Sequence, residues 1–238
     1  MQKNNLSGST TDSVEMIFYT DPLCCWSWAM EPDWQQLRQE YGGVLRVSYK
    51  MGGLIPSWQH FQDTANAISR PSQMGPEWMQ AASLTGAKIN NQIWINDPPA
   101  SSYPACIAVK SAQLQSESLA EAYLHMLWEA VMVENKNIAR TEVLLELAEW
   151  LSMRYPDFNL FQFKNDLLGE KGKEEFRKDL QEAKYLNINR FPTLIIKYNG
   201  RPSVMLTGYQ SYGTLRTVIG SGIGLIKPPD PEHIDLNH

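Results

Sequence analysis

Cysteine is scarce in this chain: Cys24, Cys25 and Cys106 are the only three in 238 residues. That excludes a small secreted scaffold stapled by disulfides. No apolar run approaches the ~18 residues of a membrane span, so none is expected. Histidine is also sparse. His60 and His125 stand without ligand-spaced partners, so no metal site is expected. Basic charge is lacking too: 21 Lys and Arg against 26 Asp and Glu give a net charge of −5. A nucleic-acid binder would be basic, so that class is excluded. The first dozen residues are polar and lack the apolar stretch of a secretory signal, which implies a cytoplasmic protein.

What remains is ordinary globular composition, 43% hydrophobic and 20% charged. The length falls between one and two typical domains, as for one fold carrying an insertion. Val14 to Tyr19 is a β-prone run stopped by Asp21-Pro22. From Cys25 to Tyr41, Trp26, Met30, Trp34 and Leu37 recur at helical steps up to Gly42-Gly43, with Pro32 a candidate kink. Val44, Leu45, Val47 and Tyr49 mark a second strand ending near Gly52-Gly53. The opening is therefore β-α-β with a helical crossover.

Residues 56–172 carry little strand signal. Helices are expected over 102–115, 119–133 and 141–153, the last with Thr141 as N-cap. The stretch 73–104 reads as a helix followed by a loop. Trp78, Met79, Trp94, Met126, Trp128 and Met132 are expected to be packing residues. A further helix over 174–186 leads to a buried strand, Thr193–Tyr198, an Asn199-Gly200 hairpin turn, a partner strand over 203–206 and a closing helix over 210–219. Gly220-Ser221-Gly222-Ile223-Gly224 follows a helix, the wrong context for a phosphate loop. The expectation is an α/β thioredoxin fold: 14–55 and 173–222 form the β-α-β and α-β-β-α halves, 56–172 an all-helical insertion, and 1–13 and 227–238 loose termini.

Cys24 follows a strand and a turn and opens a helix. Unpaired N–H groups and the helix dipole favour an anion there, so a lowered thiol pKa is expected. Ser27 stands where a dithiol enzyme carries its second cysteine. It can donate a hydrogen bond to the thiolate but cannot resolve a mixed disulfide. Cys25 is a poor substitute, because adjacent Cα atoms lie about 3.8 Å apart, below the usual disulfide window of about 4.4–6.8 Å. Cys106 reads as core packing, with a distant resolving thiol as the open alternative. Trp26 can face a substrate.

Asp21-Pro22-Leu23-Cys24-Cys25-Trp26-Ser27-Trp28 resembles the D-P-x-C-S-W-C-W segment of DsbA-family, FrnE-like thioredoxin-fold proteins. Met51-Gly52-Gly53-Leu54, Tyr103-Pro104-Ala105-Cys106, Phe191-Pro192-Thr193 and Gly208-Tyr209-Gln210 are similar to that group as well. The departure is Ser27 in place of the second active-site cysteine. The same clade includes kappa-class glutathione transferases and 2-hydroxychromene-2-carboxylate isomerases, which keep a serine where Cys24 stands. The resemblance implies Cys24, Ser27 and Pro192 as catalytic residues and Phe191, Trp26 and Cys25 as substrate-binding ones. Pro192 would be the family's cis-proline, with Phe191 offering backbone groups to an extended peptide or to glutathione.

Three functions follow as expectations. The first is a thiol–disulfide oxidoreductase or isomerase acting through Cys24 alone, on a protein or small disulfide, with glutathione or another small thiol as co-substrate and no bound cofactor. The second is a glutathione-dependent transferase or isomerase. The third is a non-catalytic adaptor. A monomer or homodimer is expected.

Overall fold

The computed structural model describes residues 14–64, 66–198 and 201–222. The segments expected to be loose termini and the Asn199-Gly200 turn lie outside these residues, as does Gly224. Four strands form one sheet in the order β2-β1-β3-β4: β1 (Val14–Thr20), β2 (Leu45–Met51), β3 (Thr193–Tyr198) and β4 (Arg201–Thr207). β1 runs parallel to β2 and antiparallel to β3, and β4 is antiparallel to β3. A parallel pair needs a crossover. α1 (Cys25–Tyr41) supplies it and runs through Pro32 as one element.

Between β2 and β3 lie α2 (Met74–Thr85), α3 (Ile93–Asn96), α4 (Tyr103–Gln113), α5 (Glu117–Met132), α6 (Thr141–Arg154), α7 (Leu160–Leu168) and α8 (Lys171–Tyr185). α9 (Tyr212–Gly222) follows β4 and takes in Gly220 and Gly222. This is a thioredoxin fold: β1-α1-β2 and α8-β3-β4-α9 surround the added helices.

β1 alternates as a strand covered on both faces must. Val14, Met16 and Phe18 pack with Trp34 and Leu37 of α1 and Leu215 and Ile219 of α9. Ile17 and Tyr19 point the other way, to Ala183 of α8, Ile188 and Ile195. Each large side chain fully buried this way contributes about 1.5–3 kcal/mol. The main core continues into the added helices through Trp78, Trp94, Tyr123, Trp128 and Phe163, so one apolar interior serves both parts. Met79 is the exception among the expected packing residues. It lies 60% exposed on the outer side of α2.

Several boundaries differ from the sequence reading. Thr141 is the first residue of α6, not its cap. Arg140 takes the cap position without a side-chain bond to the helix backbone, and Asn137 shapes the entry by accepting from the Ala139 N–H. α7 went unread. Its signal is Asn159, whose side chain caps the helix by accepting from the Gln162 N–H. The stretch 73–104 holds α2, closed by Gly86 at φ +75, then a loop interrupted by the single turn of α3.

Candidate functional site around Cys24

β1 delivers the chain to Asp21, whose carboxylate makes the turn. Its Oδ1 accepts from the Leu23 N–H at 2.8 Å, and its carbonyl accepts from the Cys24 N–H at 2.9 Å. Cys24 is then the N-cap of α1, with extended backbone, and Cys25 is the first helical residue. The placement of the thiol at a helix start is as the sequence indicates.

Its ionisation is not. Cys24 is 4% exposed. Burial pushes its thiol up to about 12. The Ser27 hydroxyl and the Ser27 and Trp26 N–H groups pull the other way without compensating, and the Asp21 charge adds to the rise. The expected lowered pKa is therefore overturned: the dipole and donors are present, but desolvation outweighs them. Ser27 is itself fully buried. Its Oγ accepts from Thr20 Oγ1 at 2.7 Å, which leaves its own proton free to face the Cys24 sulfur. Cys25 is 3% exposed, and burial raises its thiol as well. All three cysteines are free.

Behind the cleft lies Asp21, which the sequence marks only as a turn residue and as the first position of the family segment. It is fully buried, and its Oδ2 accepts from the Leu54 N–H at 2.6 Å, Ser102 Oγ at 2.8 Å and Cys106 Sγ at 3.3 Å. Burial raises its pKa, while the donors pull it down. The Trp128 indole donates to the Asp21 carbonyl at 3.2 Å. Cys106 is thus a fully buried donor to a carboxylate, closer to the core reading than to a resolving thiol. Within the local sequence, an aspartate leading into a helix start reads only as a turn former, so no signal marked its distant partners.

The Phe191–Pro192 peptide bond is cis, and the Pro192 carbonyl accepts from the Gly208 N–H at 2.7 Å. A cavity of about 830 Å³ opens in front of it. Cys24, Cys25 and Trp26 line one side, and Arg190, Phe191 and Tyr209 line another. Phe61, Ile68, Met74 and Glu77 close it from the helical part. The Trp26 indole donates to Glu77 Oε1 at 2.9 Å, tying the start of α1 to α2. Of the residues singled out in the sequence, Cys24, Cys25, Trp26 and Phe191 share this cleft, whereas Ser27 and Pro192 stand behind its surface. Among the described residues no group of three or more His, Cys, Asp or Glu is placed to hold a metal ion, and no helix is long and apolar enough to cross a membrane.

Comparison with known proteins agrees with this architecture. The chain is 23% identical over 227 residues to the ClpXP adapter protein SpxH of Halalkalibacterium halodurans, covering 94% of this chain and 72% of that protein. Against other SpxH proteins the chain spans as little as 57% of their length. The cytosolic disulfide reductase DsbM from Pseudomonas aeruginosa superposes with a TM-score of 0.68 at 22% identity, covering 89% of this chain and all of DsbM. A 2-hydroxychromene-2-carboxylate isomerase superposes at 0.63 and 18% identity, covering 90% of this chain and all of the isomerase. Both structural likenesses concern the fold, and it is the DsbA-type thioredoxin fold that the motifs around Cys24 imply. With the thioredoxin family profile matching residues 17–217, the chain belongs to the thioredoxin family.

Proposed function

We propose that this protein is a thioredoxin-fold adaptor that holds a segment of a partner protein in the Cys24 cleft and delivers it to a ClpXP-type protease in the cytoplasm. The observation that carries this reading is the state of Cys24: 4% exposed, its thiol pushed up to about 12, with serine at position 27. The thiolate is the nucleophile in disulfide exchange, and a thiol so held is protonated at neutral pH. A site that is poor at thiol chemistry keeps a cleft large enough for a ligand and an apolar wall from Phe61, Ile68 and Met74. The curated relatives named as ClpXP adapters support the same reading.

The test is pulse-chase mass spectrometry of protein half-lives in cells with and without the chain, in the presence of ClpXP. Loss of the chain lengthens the half-lives of a set of ClpXP substrates, and Cys24→Ala restores them as fully as the natural sequence. Unchanged half-lives, or failure of Cys24→Ala to restore them, overturn the reading.

A second reading is favoured by Cys24 and Phe191 lining one cleft with the Ser27 hydroxyl behind the sulfur. Here Cys24 attacks a disulfide, one sulfur leaves as a thiol, and a small thiol such as glutathione then releases Cys24 from the mixed disulfide. Loss of deglutathionylation activity in Cys24→Ala supports this reading. Tight reversible glutathione binding without a mixed disulfide points instead to the transferase class.

A further inference from the structure

The backbone at the end of β2 is anchored on both sides of Gly52. The Met51 N–H donates to Asp179 Oδ2 at 2.9 Å, the Gly52 N–H to the Thr20 carbonyl at 2.7 Å, the Leu54 N–H to Asp21 Oδ2 at 2.6 Å and the Ile55 N–H to Ser102 Oγ at 3.1 Å. Asp179, Thr20, Asp21 and Ser102 are all buried. This stretch of chain cannot move without giving up bonds to groups that have no water to replace them.

The Phe191 ring lies directly on it. A Cβ built on Gly52 falls 2.0, 2.2 and 2.6 Å from Cζ, Cε1 and Cε2 of that ring, far inside van der Waals contact. Since the backbone is pinned, the ring is what must shift. Phe191 also packs against the cluster of Ile17, Tyr19, Ala183, Ile188 and Ile195, all of them buried. The open direction is the cleft that Phe191 shares with Cys24.

We propose that Gly52 is a positioning residue for the Cys24 cleft: its missing side chain seats the Phe191 ring, a residue the family resemblance already assigns to substrate, far enough back for an extended polypeptide segment to enter. This rests on the cleft being the partner site of the adaptor reading. Gly53 serves a different need. It sits at φ +65, and a Cβ there would meet Leu180, Tyr103 and Phe176 instead of Phe191. The two adjacent glycines therefore supply a variant and its control.

The experiment is a double-mutant cycle on the full chain, read as the rate of N-ethylmaleimide addition to Cys24 at about pH 9, with peptide mass spectrometry to separate Cys24 from Cys25. Gly52→Ala drives the ring into the cleft and slows the reaction about threefold or more, while Phe191→Ala opens the cleft and speeds it by a similar factor. Gly52→Ala with Phe191→Ala reacts like Phe191→Ala alone, because no ring is left to displace. Phe191→Ala does not relieve the effect of Gly53→Ala. Should Gly52→Ala fail to fold, recovery of the fold in the double variant carries the same conclusion. Additive effects, or no recovery in the double variant, overturn it. N-ethylmaleimide probes the cleft without any partner. Coupling in the cycle with unchanged protein half-lives therefore sinks the adaptor reading and leaves the ring seat standing.

Discussion

The Cys106 thiol donates to the Asp21 carboxylate at 3.3 Å, joining α4 to the turn that opens α1. The same Oδ2 takes Ser102 and the Leu54 N–H, so one buried oxygen holds together three segments of chain around Cys24. The site is rigid because Asp21 is saturated with donors, not because any one bond is strong.

Asp21→Ala removes the acceptor and leaves the buried Leu23 N–H and Ser102 hydroxyl, and the half-buried Leu54 N–H, without it. The expected loss is about 3–5 kcal/mol, measured by urea unfolding. Cys106→Ala leaves the carboxylate its other donors and costs less, about 1–2 kcal/mol. If both variants cost the same, the hub account is wrong.

Cys24 should react slowly at neutral pH. With the thiol up at about 12, on the order of one molecule in ten thousand carries the thiolate at pH 8. Iodoacetamide alkylation followed by mass spectrometry should rise about tenfold per pH unit between about pH 8 and 11, without levelling off. Ser27→Ala removes a group that lowers the thiol pKa, and should slow the reaction further at every pH in that range. A plateau near pH 8 would show an activated thiol and return the protein to the oxidoreductase reading.

Glu31 in α1 gives stability an opposite pH dependence to that of a salt-bridged acid. Burial raises its carboxyl to about 7, although Gln35 donates to it at 2.6 Å and Arg38 lowers it. His125 lies 3.9 Å away, and burial lowers its own pKa, so it is neutral at pH 7. A folded-state value above the unfolded ~4.3 means the fold favours the protonated acid. That contribution is complete below about pH 4 and fades as pH rises through 7. Glu31→Gln should match the natural protein near pH 4 and exceed it by up to about 3 kcal/mol at pH 8, measured by urea unfolding across pH. Equal stability at pH 8 would refute this.

Lys110 and Asp179 form an ion pair at 2.7 Å, both buried, and Asp179 also holds the Met51 N–H just before Gly52. Lys110→Ala leaves Asp179 with Lys50 at 3.3 Å as its remaining cation and should cost about 2–4 kcal/mol. Lys110→Met with Asp179→Asn should recover part of that, because no charge is then left buried and the amide oxygen still accepts from the Met51 N–H. Thermal unfolding of the two variants separates these outcomes. A double variant less stable than Lys110→Ala would contradict the argument.

Local patterns carried much of the architecture. β1, α1, β2 and β3 were readable because alternation and helical spacing act over a few residues, and because Asp21-Pro22 and Gly42-Gly43 punctuate them. α7 escaped because it is nine residues long and its cap, Asn159, looks like any polar residue after a proline. The Asp21 hub escaped for a different reason. Its donors Leu54, Ser102 and Cys106 lie 33, 81 and 85 residues further on, beyond the reach of any spacing rule.

The order of residues settles that a cysteine opens α1, that a serine stands three positions later, and that Phe191-Pro192 precedes β3, since each is a statement about neighbours along the chain. Whether the sulfur is ionised, which ring rests on Gly52 and what faces the cleft were settled by folding. Those properties depend on how much water is left around a group, and here that is fixed by helices encoded far from the motif they cover.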